Sequence, residues 1–483
     1  MRIPNELFVL CLSYLSSHEL ISVIALFRKP SNAVIKNGRM LNVDLSSSRV
    51  GDKDLALLYG VWDINLCRCK FITDAGLKHL EHCRFLDLSG HKIITDAGLM
   101  SLGNVIAINL SGCRLISDTG LLYLKKVKTL NISGCKLVKG SSFKDLPHLT
   151  DLDVSNCRID DDALEHLEKI LSINLSRCRI TDTGLSYLRS VTRINLSNCG
   201  YITDNGLRYL AACTIICLQS CVQITSTGLN CLMCAVALDV TYCYKITDIL
   251  SVCNLRELNL SLCPLITDTT LQSMGNIEKI NLNMCSHITD AGLIYLKSAK
   301  SIKISFCKAV YGRSFPHLHK LEKINLSYCT LISDDSLPGL RHVKNINLVG
   351  CWRVSNGGLK YLQNCETLAF AGITLLDEGL QYLRCAKKIV LINSSITDQG
   401  LKHLETVQTL VLSSCNNITD AGIGYLKKIQ DLTIHRCTRV TGMGFSGLGN
   451  LTSLSIIKCP SFKRYMMDGL KSGKLYRQFR IEE

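Results

Sequence analysis

No apolar run in this 483-residue chain approaches the roughly 20 residues that a membrane-spanning helix needs, which excludes an ordinary helical membrane protein. Catalytic phrases are missing as well: the sequence holds no nucleophile elbow, no His-Glu-x-x-His and no phosphate loop. Acidic charge is the scarcer sign, 40 side chains against 55 basic ones, for a net charge of +15. Apolar residues are not scarce. At 47% they suffice to build a core, so an intrinsically disordered chain is excluded. Cysteine, with 26 residues, is unusually frequent.

The cysteines fall on a period. Cys69, Cys113, Cys135, Cys157, Cys178, Cys199, Cys221, Cys243, Cys263, Cys285, Cys307, Cys329, Cys351, Cys415, Cys437 and Cys459 share one register, and Ser48, His91, Ile373 and Ser394 fill its gaps. Every interval is 20, 21 or 22 residues, the signature of a solenoid. We call these twenty positions the column and number the repeats by them. A phrase recurs around each position. Ile108 and Leu110, with Cys113 after them, alternate as a short strand and an inward-turning residue; Ser117-Asp118 then reads as a helix N-cap, and Gly120-Leu121-x-x-Leu124 as one apolar helical face. No unit of this size buries its own core, so stacked neighbours must do so.

The phrase resembles the cysteine-containing subclass of leucine-rich repeats over residues 41–460. That resemblance implies an α/β horseshoe with a parallel sheet on its concave face and helices on its convex face. The column cysteines read as core filler, because Ser or Ile replaces them at some positions. Disulfides are disfavoured by side chains that run parallel into the core. Cys231-x-x-Cys234 and Cys67-x-Cys69 lack a second pair at metal-finger spacing, so no metal or other cofactor is expected. Many unpaired thiols, and Asn-x-Ser sequons inside strands, point to a cytoplasmic or nuclear location.

Residues 1–40 leave the period. Pro4 suits the first turn of a helix carrying Leu7, Cys11, Leu12 and Leu15, and Ser17 can cap a second helix that Pro30 ends. A signal peptide is the rival reading of Leu7–Leu15; Glu6 before it and the missing cleavage site oppose that. A plain helical cap on the first repeat is the other. Ile3, Pro4, Glu6, Leu7, Tyr14 and Leu15 fall on the marks of an F-box, which this stretch resembles; Cys11 stands where that family usually has Ile. The resemblance implies that Pro4, Leu7, Cys11, Leu15 and Leu20 contact a Skp-type adaptor and, through it, a cullin. The chain would then be the non-enzymatic substrate-recognition subunit of a ubiquitin ligase. The alternative is a leucine-rich-repeat scaffold or regulatory binding protein with no ligase role.

Three surface rows follow from the register. Four residues before the column, Asn or Asp occupies 13 of the first 15 repeats; the last five carry Ala369, Val390, Val411, Thr433 and Ser455. With Val349, Ala371, Ile392 and Ile457 two residues further on, this makes an apolar concave strip in the last repeats. One residue before the column, repeats 10–14 carry Tyr242, Leu262, Met284, Phe306 and Tyr328, side chains that protein interfaces favour. One residue after it, repeats 1–7 carry Arg49, Lys70, Lys92, Arg114, Lys136, Arg158 and Arg179. At about 4.8 Å per strand this basic edge runs about 29 Å and would attract an acidic or phosphorylated target. Nucleic acid is disfavoured, since no aromatic residue interleaves with the cations.

Repeats 5 and 13 lack the Thr-Asp pair and carry Pro147 and Pro316, which suggests local bends. Gly442-Met443-Gly444-Phe445-Ser446-Gly447 matches the dinucleotide phrase G-x-G-x-x-G but has no βαβ unit around it. The recurring Asp74, Asp96, Asp118, Asp182 and Asp204 read as helix caps, not as a catalytic pair. Residues 461–483 form a basic tail that either caps the last repeat or folds over the concave face.

Overall fold

The computed structural model describes residues 42–58, 61–249, 254–372, 376–463 and the backbone of 478–482. The stretch 1–40, with its expected adaptor contacts at Pro4, Leu7, Cys11, Leu15 and Leu20, lies outside the described residues, as does the column position Ile373. The chain falls into two compact units, Met1–Asp239 and Val240–Glu483.

Each repeat is a short parallel strand, a turn and a single helical turn. The first unit holds strands β1 (Asn42–Asp44) to β10 (Ala237–Asp239), and the second β11 (Glu257–Asn259) to β20 (Ser453–Ile457). Neighbouring strands within a unit pair in parallel with matched register, as where Leu130 faces Leu152 and Ile324 faces Ile346. Leu130 and Leu152 are buried and flanked by outward-facing residues, so the period of two places one face of the sheet in the core. The helical side is slight. Asp74–Leu77 is one α turn, continued by a 3-10 turn at Lys78–Leu80, with Leu77 and Leu80 buried. So short a helix cannot stand alone and is held by packing against its neighbours.

A local device supports the turn after the strand. In the early repeats the Asn or Asp before the column turns its side chain back on the chain: Asn109 Oδ1 accepts the Ser111 N–H at 3.0 Å, and Asn174 Oδ1 that of Ser176 at 3.1 Å. This Asx turn supports the bend that follows the strand. The bond does not set strand length: β15 (Asn345–Val349) runs for five residues although Asn347 Oδ1 accepts the Val349 N–H at 3.0 Å, and β16 (Thr367–Ala371), β17 (Lys388–Ile392) and β18 (Thr409–Ser413) run for five without it. The Asn row also bonds along the sheet, with Asn109 donating to Asp87 at 2.9 Å. Its role is structural.

The Thr-Asp pair divides its labour, which corrects the expectation that its aspartates are caps. Thr73 is the N-cap, its hydroxyl accepting the Ala75 N–H at 3.3 Å. Asp74 instead reaches the following repeat, where it accepts the Thr95 N–H at 2.9 Å and the Thr95 hydroxyl at 2.6 Å. Gly98 leaves the space this carboxylate occupies; a Cβ there would overlap Asp74 Oδ1. The Asp-x-Gly spacing is therefore an inter-repeat lock.

Repeats 5 and 13 keep the lock by other means. Asp118 accepts the N–H groups of Lys139 and Gly140 at 2.8 and 2.9 Å, and Asp290 those of Tyr311 and Ser314 at 2.8 and 3.0 Å. Buried Phe143 and Phe315 fill the place of the usual leucine. Strand register runs through both repeats without interruption. The G-x-G-x-x-G phrase is a third case. Asp420 accepts the N–H groups of Gly442 and Gly444 at 2.9 and 3.1 Å, so the amides that would cradle a phosphate already hold a carboxylate of the chain itself. Gly442, at φ 111°, makes the turn that permits this. At the C-terminus, β21 (Gln478–Glu482) pairs in parallel with β20 and extends the sheet edge by one strand.

Candidate interaction surface

The column turn has two sides. Inside, the cysteines do more than fill space. Cys69 donates its thiol to the Leu45 carbonyl at 3.0 Å, Cys135 to that of Leu110 at 3.2 Å and Cys351 to that of Leu326 at 3.1 Å, each acceptor lying in the preceding repeat. The thiol supplies a hydrogen bond where the strand ladder ends, which reading cysteine as core filler missed. Burial pushes the Cys135 and Cys351 thiols up to about 12, far from the thiolate that reactivity or metal binding requires. His91 breaks the pattern. Its Nδ1 bonds the Leu88 carbonyl of its own repeat at 2.8 Å, and among the described residues its buried Nε2 has no partner.

Outside, the residue before the column is left-handed throughout. Arg68, Asn156, Arg177 and Asn198 have φ between 58° and 63°, and Gly90, Gly112 and Gly134 between 73° and 78°. Gly and Asn suit that conformation; a bulky side chain opposes it at about 1–2 kcal/mol per residue. Yet Tyr242, Leu262, Met284, Phe306 and Tyr328 all hold it, with φ of 60–63°. Their exposure lies between 38% (Phe306) and 52% (Tyr242), so each leaves a large part of its surface open to solvent. Phe306 and Tyr328 stack, with ring centroids 4.5 Å apart and planes 11° from parallel. Tyr328 lies over Gly350, where a Cβ would collide with its ring, and Trp352 lies over Gly372 in the same way. Trp352 and Tyr244, both exposed, widen the stripe. The sequence reading passed over both, although they stand at the register position where the first repeats carry cations.

On the sheet face of the second unit, the longer strands bring the predicted apolar strip together. Ala369 pairs with Val390 and Val390 with Val411, while Ala371 pairs with Ile392. All five are half-buried.

In the first unit, Arg49, Lys70, Lys92, Arg114, Lys136, Arg158 and Arg179 are all exposed. Among the described residues none of them forms an ion pair; Lys136 is tied instead to the neutral Asn156, whose carbonyl and Oδ1 it meets, the latter at 2.8 Å. The second unit pairs its strand cations, with Lys279–Glu257 at 2.6 Å and Lys300–Glu278 at 2.7 Å. Cys231 is half-buried and Cys234 exposed, and among the described residues no three His, Cys, Asp or Glu side chains converge. No described helix is long and apolar enough to cross a membrane.

The family model described as Leucine Rich repeat matches residues 79–103, 145–167, 166–188, 187–211, 253–275 and 403–427. No curated protein matches this chain. Among solved structures, a chain of the TLR13–ssRNA13 complex is 18% identical with a TM-score of 0.59, over 89% of this chain and 74% of that one. A chain of the mouse RP105/MD-1 complex is 14% identical with a TM-score of 0.53, over 85% of each. Column, strand register and family match agree: the chain contains multiple leucine-rich repeats and has a leucine-rich-repeat solenoid fold.

Proposed function

We propose that the chain recognises a protein target through the second unit, on the surface formed by the Tyr242–Tyr328 stripe and the apolar face of β16–β18. The observation that carries this reading is the run of five bulky, exposed side chains on left-handed residues. The conformation itself favours Gly or Asn there, and these side chains stay open to solvent, so their presence in succession supports a contact made outside the chain. The test replaces Met284 and Phe306 by Asn and measures target capture together with melting temperature. Weaker capture by a chain at least as stable as wild type is expected; a large stability loss would mark the stripe as structural.

The finer reading is a substrate receptor of a Skp–cullin–F-box ubiquitin ligase. Its support is the F-box spacing of Ile3, Pro4, Glu6, Leu7, Tyr14 and Leu15 ahead of leucine-rich repeats. The family matches fall on the repeats alone. Residues 1–40 would dock the adaptor and the repeats would hold the target, so ubiquitin transfer would be promoted by proximity. Co-purification with a Skp-type adaptor tests it, comparing wild type with Leu7→Asp/Leu15→Asp. Absence of adaptor from the folded wild-type chain would leave the scaffold reading, in which the target surface stands without a ligase.

A further inference from the structure

The basic edge of the first unit has an apolar companion. Immediately after the cations Lys70, Lys92, Arg114 and Lys136 come Phe71, Ile93, Leu115 and Leu137, exposed by 45–59%. Backbone bridges hold three of them in place: Gly51 with Phe71, Thr95 with Leu115 and Ser117 with Leu137. The two rows share one surface, because Lys70, Lys92 and Ile93 line the same hollow of about 450 Å³ beside Arg68. Beyond repeat 5 the arrangement ends. Arg158 and Arg179 persist, but Ile159 and Ile180 after them are buried. Four consecutive repeats thus pair a cation with an exposed apolar side chain.

We infer that this edge binds an amphipathic helix of a partner protein, with acidic residues set along one side of its apolar stripe. Charge selects acidic groups, since among the described residues these cations have no carboxylate partner. Spacing selects a helix. Four rungs at about 4.8 Å span about 14 Å, and three helical turns of 5.4 Å span about 16 Å. The 2 Å difference is within the reach of lysine and arginine side chains. An extended peptide returns a side chain to one face every 6.6 Å or so and drifts by about 5 Å over the same rungs. Single-stranded nucleic acid could use the charges, and Phe71, an aromatic beside Lys70 that the sequence expectation passed over, offers one ring; the other three apolar residues are aliphatic and offer none for a base to stack on. The surface extends the protein-recognition reading to a second place in the chain and shares no residue with the Tyr242–Tyr328 stripe.

The test is fluorescence anisotropy on the full chain with a labelled, helix-stapled 18-residue peptide. It carries Glu at positions i, i+4, i+7 and i+11, each followed by Leu, on an Ala/Gln background. Controls are a scrambled peptide of the same composition and a 12-nucleotide oligo-U RNA. The patterned peptide is expected to bind at least tenfold tighter than the scramble. Lys92→Glu/Arg114→Glu and Leu115→Ser/Leu137→Ser should each weaken it about tenfold without moving the melting temperature, while Met284→Asn/Phe306→Asn should leave it unchanged. No binding of the patterned peptide, equal binding of the scramble or the RNA, or indifference to the leucine variants would overturn the inference.

Discussion

Asp182 accepts two hydrogen bonds from Thr203 of the following repeat, from its N–H at 2.8 Å and its hydroxyl at 2.5 Å. The same Thr203 caps its own helical turn through the Asn205 N–H at 3.3 Å. One side chain thus caps the start of a helix and fastens two repeats, and the chain repeats the arrangement in both units. Cooperativity between neighbouring repeats follows from such locks, because no repeat can open without releasing a partner of the next.

Breaking a lock should cost more than removing a cap. Asp74→Ala strands the Thr95 N–H and hydroxyl, and a loss of about 2 kcal/mol is expected from two bonds to a charged acceptor. Gly98→Ala should match it by pushing the carboxylate away. Urea unfolding of both variants measures this; wild-type midpoints would show that the lock is not energetic.

The column makes a gain-of-stability prediction. His91→Cys restores a thiol to a position whose neighbours Cys69 and Cys113 donate to carbonyls of the preceding repeat at 3.0 and 3.2 Å. It also removes a buried imidazole nitrogen that has no partner among the described residues. A gain of about 1 kcal/mol is expected in thermal unfolding, and a loss would show that the imidazole is needed where it stands.

Thiol reactivity should split sharply. Brief iodoacetamide treatment at pH 8 followed by peptide mapping should label the exposed Cys234 and Cys385. Cys113, Cys135, Cys285 and Cys351, raised to about 11–12 by burial, should stay unlabelled until the chain unfolds.

Acid should loosen the C-terminal repeats through Asp420. Partial burial raises its pKa, but the hydrogen bonds from the Thr441 hydroxyl and from the Gly444, Thr441 and Gly442 N–H groups outweigh that, leaving it below the ordinary 3.8. A depressed folded-state pKa contributes stability above the unfolded value that is lost as pH falls through the folded one. Wild type should therefore lose stability below about pH 4, and Asp420→Asn should be less stable at pH 7 with a flatter acid limb. Parallel acid limbs in the two proteins would remove Asp420 from the account.

The repeat, its period, the buried column and the surface rows are legible in residue order alone. A period of about 22 residues with alternating apolar positions admits few other ways to bury a core. What those positions do depends on the stacking of one repeat on the next. Asp74 looks like a cap from its neighbours in sequence; only the stacked repeat brings Thr95 to it from 21 residues away. Cysteine passes for filler until a carbonyl 24 or 25 residues earlier appears as its acceptor. The left-handed turn left a sequence trace, the Gly and Asn before the column. Its meaning for Phe306 and Tyr328 emerged only with the backbone angles, because strain is a property of conformation and not of residue type.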